Sequence, residues 1–357
     1  LDQRLYKKIE DRIEKGTLRS LSSFDGMIDF FSNDYLGLSK EGFSFESSSY
    51  GATGSRLISG TTSRMLEIES EIAQFFAVQS SLMFNSGYDA NLGLFSSIPQ
   101  RGDTILYDEL IHASVRDGIR LSHSKAISFK HNDLEDLSIK IERSEGSIYV
   151  AVESLYSMDG DCAPLKKLAV LCELKNVYLI VDEAHACGVF GENGKGLVSE
   201  LGITHLVFAR LVTFGKAYGS HGACVLGSSD LIQYLYNFAR SFVYTTALPE
   251  YVFERNLKLA SSSLISCQRI ELISNLVYFR SNFHHSGLIS SEMSPIQIIE
   301  LGSIEATKRI AEKVQTLNIA VKPIYSPTVA EGKERLRICI HSYNTKAELD
   351  SLIQALG

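Results

Sequence analysis

An acid and an amine, each placed just after an apolar run, give this sequence its first chemical signal. In Val181-Asp182-Glu183-Ala184-His185-Ala186-Cys187-Gly188 a carboxylate follows the run Val177–Val181 directly. Ligands of open α/β sheets bind beyond the carboxyl ends of the strands. A carboxylate buried there is costly unless a cation or a donor faces it. A lone Asp at such a point is more often the cap of the next helix, so a second group is needed to change the odds. It comes in Val212-Thr213-Phe214-Gly215-Lys216-Ala217-Tyr218-Gly219, where Lys216 sits among small residues after another apolar run. Most lysines are solvated, but an amine confined in a pocket loses its charge and becomes nucleophilic. An amine to take an aldehyde and a carboxylate to keep a ring nitrogen protonated are together what pyridoxal phosphate requires.

A third segment, Asn85-Ser86-Gly87-Tyr88-Asp89-Ala90-Asn91, lies between an apolar run and a helical pattern. Gly87 lets the backbone approach a ligand, and the free amides of a helix start suit a phosphate. Gly188, Gly191, Gly194 and Gly196 follow Asp182, but their spacing fits neither the dinucleotide fingerprint nor the P-loop.

The elements that must hold these groups are legible as alternation. Short apolar or β-branched runs (Ser81–Phe84, Thr104–Tyr107, Ile148–Val152, Val177–Val181, Leu206–Val212, Ala223–Leu226) are separated mostly by amphipathic stretches such as His112–Leu121, Asp133–Glu142 and Leu165–Leu174. Such alternation predicts a mostly parallel sheet, because a parallel crossover has to traverse the sheet. The near-continuous apolar run Val177–Val181 predicts a strand covered on both faces. Residues 1–20 are charged and helical in pattern, with Leu5, Ile9 and Ile13 on one face. From about residue 250 onward helical periodicity mixes with short strands such as Leu336–Ile340. The expected organisation is an N-terminal segment (1–40) joining a smaller α/β lobe (251–357), around a large cofactor-binding α/β domain (41–250). The Gly/Ser-rich stretch Ser44–Gly60 reads as a binding loop in preference to a flexible one, because Arg56 lies within it.

Composition sets the outer limits. The chain has 357 residues, 45% of them apolar, with 35 Lys+Arg against 42 Asp+Glu and a formal charge of −7. That excludes disordered and collagen-like classes. Without clustered basic residues no nucleic-acid partner is expected. No run approaches the length of a membrane span, so no membrane partner is expected. Six cysteines never form a C-x-x-C pair, which suits buried thiols in a reducing, cytoplasmic setting over a metal site or a disulfide framework. The chain begins at Leu1, and no secretory signal pattern opens it.

Taken together, these segments resemble the α-oxoamine synthase family, fold type I enzymes that use pyridoxal phosphate. The resemblance spans nearly the whole chain. It includes Asn33-Asp34-Tyr35-Leu36-Gly37-Leu38, Gly54-Ser55-Arg56-Leu57-Ile58-Ser59-Gly60, Asp108-Glu109-Leu110-Ile111-His112-Ala113-Ser114 and Ser157-Met158-Asp159-Gly160-Asp161. It continues through the Asp182 and Lys216 segments to Thr245-Thr246-Ala247-Leu248-Pro249 and Arg335-Leu336-Arg337-Ile338. It implies decarboxylative condensation of an amino acid with an acyl thioester. The wording around Lys216 and the Glu183-Ala184 pair lean toward L-alanine and a pimeloyl thioester, carried by coenzyme A or an acyl carrier protein. Sister synthases that use glycine are the alternative, and a non-catalytic binding subunit is the reading from another class.

Residue by residue, the resemblance implies that Lys216 links to the cofactor and later moves the substrate's Cα proton, while Asp182 pairs with the pyridinium nitrogen. His112 would stack on the ring, and Ser157 and His185 would contact its phenolic oxygen. Ser86, Gly87 and Tyr88, with the Thr213 hydroxyl, would hold the phosphate. Thr245 or Thr246 would reach that phosphate from a second subunit of a homodimer. Arg337 would clamp the amino-acid carboxylate, although Arg335 shares its face on a strand. Arg19 and Asn33 match positions near the acyl chain. The sequence departs from the family pattern at Met65, at His221 and in a short stretch between Lys40 and Gly51.

Overall fold

The computed structural model describes residues 2–21, 23–42 and 50–357. A helix over Gln3–Glu14, capped by the Asp2 carboxylate on the Arg4 amide, opens the chain. Its apolar residues Leu5, Ile9 and Ile13 all face solvent. A two-residue strand β1 (Ile28–Asp29) follows.

The large sheet holds β2 (Ser80–Phe84), β3 (Thr104–Asp108), β4 (Lys125–Phe129), β5 (Ile148–Glu153), β6 (Tyr178–Asp182), β7 (Ala209–Thr213) and β8 (Ala223–Gly227). Their order is β2-β8-β7-β6-β5-β3-β4. Strand β8 runs antiparallel to β2 and β7, and the other pairings are parallel. Both faces of the middle strands are covered. Val150, Val152, Leu179 and Val181 join one apolar cluster, whereas the alternating Ala151 and Ile180 join another on the opposite side. Each fully buried Val or Leu contributes about 1.5–3 kcal/mol of transfer free energy, which makes this strand centre a rigid mount. Helices Leu165–Leu174 and Leu134–Glu142 supply the first cluster, and Gly87–Ser97 and Ala113–Leu121 the second.

Beyond the helices Glu250–Ala260 and Ser263–Asn282 come β9 (Ile296–Glu300), β10 (Ile319–Ala320), β11 (Lys322–Ile324) and β12 (Arg335–Cys339). An antiparallel sheet forms in the order β11-β12-β9, and β10 pairs in parallel with β1. The Cys339 amide also donates to the Phe30 carbonyl at 2.7 Å, so the N-terminal segment is tied to the C-terminal sheet.

Two expectations needed revision. Strand β4 has no apolar run in the sequence because it is a sheet edge, with Lys125, Ala126 and Ser128 exposed. The run Leu206–Val212 is divided: Thr204–Leu206 is a 3-10 turn and pairing begins at Ala209. Of the Ser44–Gly60 stretch, positions up to 49 lie outside the described residues. Arg56 itself is buried and forms a two-pronged pair with Glu69 at 3.0 and 2.8 Å, so its guanidinium is engaged in packing and not offered to a ligand.

Candidate active site

The carboxyl ends of β5, β6 and β7 meet the N-termini of two helices around a cleft of about 270 Å³. Asn33, Ser86, Gly87, Tyr88, His112, Asp182, His185, Thr213 and Lys216 all line it. The strand-end rule therefore brings together groups that lie far apart in the chain.

Asp182 closes β6. One carboxylate oxygen accepts from the Ala184 amide at 2.9 Å and the other from Asn91 Nδ2 at 2.7 Å. Asn91 also donates to Ser114 Oγ at 3.0 Å, and Ser114 Oγ lies 2.7 Å from His112 Nδ1. His112 is the N-cap of Ala113–Leu121, its Nδ1 accepting from the Ser114 amide at 3.2 Å. Burial lowers the pKa of His112, with Asp182 opposing, which favours a neutral ring at the cleft wall.

Lys216 Nζ sits 2.7 Å from His185 Nε2. Burial pulls the amine down to about 8, against the attraction of Asp182 and Glu153. The same burial, reinforced by Lys216, pushes His185 well below the usual imidazole range. His185 Nδ1 lies 2.8 Å from Tyr35 Oη.

At the phosphate end, Ser86 caps Gly87–Ser97 by accepting from the Asp89 amide at 3.1 Å. The first turn of that helix opens onto the cleft. A Cβ on Gly87 would stand 2.8 Å from Thr213 Cγ2, so glycine is what lets the strand end and the helix start approach each other.

The two arginines of β12 differ in their partners. Arg335 is engaged by Asp159 at 2.6 Å and by Glu300 at 3.6 Å. Arg337, 5% exposed, donates to Asn33 Oδ1 at 2.9 Å, the Ser157 carbonyl at 2.8 Å and Cys339 Sγ at 3.0 Å. Among the described residues no carboxylate pairs with it.

Other expected site residues stand farther out. Ser157 meets Arg337 through its backbone and does not line the cleft. Thr245 Oγ1 and the Thr246 carbonyl accept from Asn85 Nδ2 at 3.1 and 2.9 Å, outside the cleft of this chain. Arg19 is exposed and reaches Thr328 Oγ1 at 3.4 Å. Of the positions that depart from the family pattern, Met65 is core and His221 lines the cleft.

Three groups escaped the sequence reading. Asn91, Ser114 and Glu153 all line the cleft and are buried. Glu153 closes β5 as the cross-strand partner of Asp182, and its Oε1 has no hydrogen-bond partner. Burial and then the Asp182 charge push its carboxyl up to about 8. The signal was present, an acid directly after the run Ile148–Val152.

An amine of reduced basicity, a carboxylate held by two donors and an open helix start face one cavity. This donor set fits pyridoxal phosphate, with its aldehyde, ring nitrogen and phosphate served separately. Comparison with known proteins agrees. The family model for aminotransferase class I and II matches residues 25–356. An 8-amino-7-oxononanoate synthase of Emericella nidulans is 38% identical, over 98% of this chain and 93% of its own. One from Cellvibrio japonicus is 37% identical over 92% and 85%. A crystal structure of 8-amino-7-oxononanoate synthase from Francisella tularensis superposes with a TM-score of 0.76 at 31% identity, covering 93% of this chain and 96% of that one. Serine palmitoyltransferase from S. paucimobilis, solved with bound PLP and myriocin, shares the fold with a TM-score of 0.88 at 24% identity, over 99% of this chain and 96% of that one.

The chain belongs to the aminotransferase class I and II family, with the fold type I architecture of pyridoxal-phosphate enzymes. Within that family it groups with the 8-amino-7-oxononanoate synthases and is a pyridoxal-phosphate-dependent acyltransferase.

Proposed function

We propose that the protein condenses L-alanine with a pimeloyl thioester, releasing CO2 and the free thiol carrier to give 8-amino-7-oxononanoate for biotin synthesis. The observation that carries this reading is Arg337. A buried guanidinium without a carboxylate partner, joined through Asn33 to the cleft that holds Lys216, is a receptor for an amino acid's carboxylate. Its planar fork suits that bidentate task. The names of the relatives supply the acyl partner.

Pyridoxal phosphate, when bound, supplies an electron sink for the negative charge that develops at the amino acid's Cα. Lys216 would hold the cofactor's aldehyde and, once released by the amino acid's own amine, its nitrogen of reduced basicity would take the Cα proton and return one after CO2 leaves. Asp182, held in place by the Asn91 and Ala184 donors, would pair with the ring nitrogen. His112 would brace the ring through the Ser114–Asn91 bridge and His185 would serve its phenolic oxygen, the role proposed also for Ser157, which stands outside the cleft. The amides around Ser86, Gly87 and Tyr88, with Thr213, would hold the phosphate. Arg19 and Asn33 belong to the acyl side.

The same reading makes the working unit a homodimer in the cytoplasm. Thr245 and Thr246 lie outside their own cleft, and Leu57, Ile58 and Tyr244 offer exposed apolar surface. It also divides the chain at about residues 40 and 250. All six cysteines are free thiols, and among the described residues no helix is long and apolar enough to cross a membrane.

A product assay tests the reaction, with alanine against glycine over a panel of acyl thioesters on coenzyme A and acyl carrier protein. Pimeloyl thioester with alanine should give the amino-oxo acid and CO2. Turnover of glycine with acetyl-CoA but not of alanine would replace this reading with that of a glycine-using sister enzyme.

A further inference from the structure

Glu153 lines the cleft, yet the proposed reaction gives it nothing to do. It closes β5, and in the sheet order β6-β5-β3 it stands between two other acids that close their own strands, Asp182 and Asp108. Carboxyls on neighbouring strand ends repel one another when all are charged, and the middle one meets both of the others.

The donors are divided unequally among the three. Asp182 accepts from the Ala184 amide at 2.9 Å and from Asn91 Nδ2 at 2.7 Å. Asp108 accepts from the Leu110 and Asn132 amides at 2.8 and 3.0 Å and lies 2.9 Å from His131 Nδ1. Glu153 is 4% exposed, its Oε1 has no partner, and the His112 amide is the donor turned toward it. Two other buried glutamates, Glu69 and Glu183, each have an arginine; among the described residues no cation forms an ion pair with Glu153. A proton settles on the acid with the fewest donors and the most like charge around it. Lys216, His112 and Tyr156 are the other ionisable groups near it. Burial, and after it the Asp182 charge, pushes Glu153 up to about 8.

We infer that Glu153 is a positioning residue that stands in the cleft as a neutral carboxylic acid and so denies Lys216 a counter-ion. An ionised Glu153 would hold the ammonium proton in place. A neutral one lets the amine shed that proton to solvent and attack an aldehyde, while Glu153 keeps its own proton. Once Glu153 ionises the effect reverses: a new anion near Lys216 makes the amine bind its proton more tightly. The acid thus limits how much reactivity the amine gains as pH rises.

This inference rests on the role proposed above for Lys216. The first measurement is the infrared spectrum of the full chain before loading, in which a buried carboxylic acid shows a C=O stretch that moves in D2O. The wild-type spectrum minus that of Glu153→Gln should contain such a band at low pH, and it should fade as pH rises through about 8. Asp182→Asn removes the neighbouring charge; it should keep the band and lower its midpoint by about tenfold in proton affinity. That variant carries the infrared test where Glu153→Gln does not fold. The second measurement is the rate at which the visible band appears on mixing with pyridoxal phosphate, followed against pH. In Glu153→Gln no anion forms near Lys216, so the rate should rise at lower pH than in wild type, by about threefold or more in proton affinity. A difference spectrum without the acid band, a band midpoint unmoved in Asp182→Asn, or the same pH profile of uptake in both proteins would overturn the role of Glu153 and leave the proposed reaction standing. A chain that takes up no pyridoxal phosphate at any pH would sink both.

Discussion

Two groups of ionisable side chains, one buried and one half-buried, sit at the carboxyl ends of the same sheet, and they have opposite fates. In the cleft beyond β5, β6 and β7, burial outweighs pairing. Lys216 is drawn down to about 8, His185 falls well below its usual range, and Glu153 is pushed up to about 8 with one oxygen unpartnered. Beyond β3 and β4, pairing wins. His131 lies between Asp108, 2.9 Å from Nδ1, and Asp161, 2.9 Å from Nε2, and those carboxylates raise it to about 10 despite the opposing effect of burial. Asp108 also accepts from the Leu110 and Asn132 amides. The difference lies in pairing: His131 has two anions for one cation, whereas among the described residues no carboxylate lies within ion-pair distance of Lys216 or His185. Ion-paired clusters hold a fold together, even where an oxygen such as Asp161 Oδ1 stays unpartnered; groups whose charge has no ion pair are available for a ligand.

The contrast is most exposed to disproof at Lys216. Lys216→Ala should abolish the visible absorbance of the loaded protein and lower kcat by about 10³-fold or more, while Tm stays within a few degrees of wild type. A large loss of Tm would mean that the amine is a structural group like His131. The arginines of β12 repeat the contrast on one strand. Arg337→Ala should raise KM for the amino acid by about 10–100-fold, the loss of a charged hydrogen-bond partner. Arg335→Ala should leave that KM unchanged and lower stability, because Asp159 loses its cation, whereas Glu300 keeps Lys333 at 2.9 Å. Steady-state kinetics and thermal melts of both variants decide it.

His131→Gln should cost about 2 kcal/mol at pH 6, since two carboxylates lose their shared cation. The sign of its pH dependence follows from a folded pKa raised from 6.5 to about 10. The folded state binds the extra proton, so the stabilisation is complete below pH 6.5 and is lost as pH rises toward 10. The Tm gap between wild type and variant should narrow over that window; a constant gap would remove the ionic account. The smallest expected effect belongs to Glu153→Gln. A carboxyl raised from 4.5 to about 8 destabilises the fold progressively as pH rises across that interval. The variant should therefore gain a few degrees of Tm relative to wild type between pH 4.5 and 8, and no gain would show that Glu153 is ionised and paired.

The positions of Asp182 and Lys216 were legible because a strand buried on both faces writes an apolar run, and a charged residue straight after it stands out. The same rule applies to Glu153 and to Asp108, so it names strand ends and does not say which will carry chemistry. Asn91 follows Gly87 by one helical turn and so faces the same cleft, yet an Asn in a helix carries no signal of its own. Edge strand β4 left no trace because solvent imposes no apolar pattern on it, and the antiparallel entry of β8 depends on where the Gly219–Gly222 turn sends the chain. The choice between Arg335 and Arg337 was invisible to periodicity, since both lie on one face of β12.

By itself the sequence determined which side chains stand at strand ends and helix starts, because burial periodicity is a local property of the chain. Only the tertiary structure decided which of those groups are neutralised and which are left with unused bonding capacity. That outcome depends on partners such as Asn33, Tyr35 and Asp161, brought in from distant parts of the chain, and on the low dielectric of the interior they share.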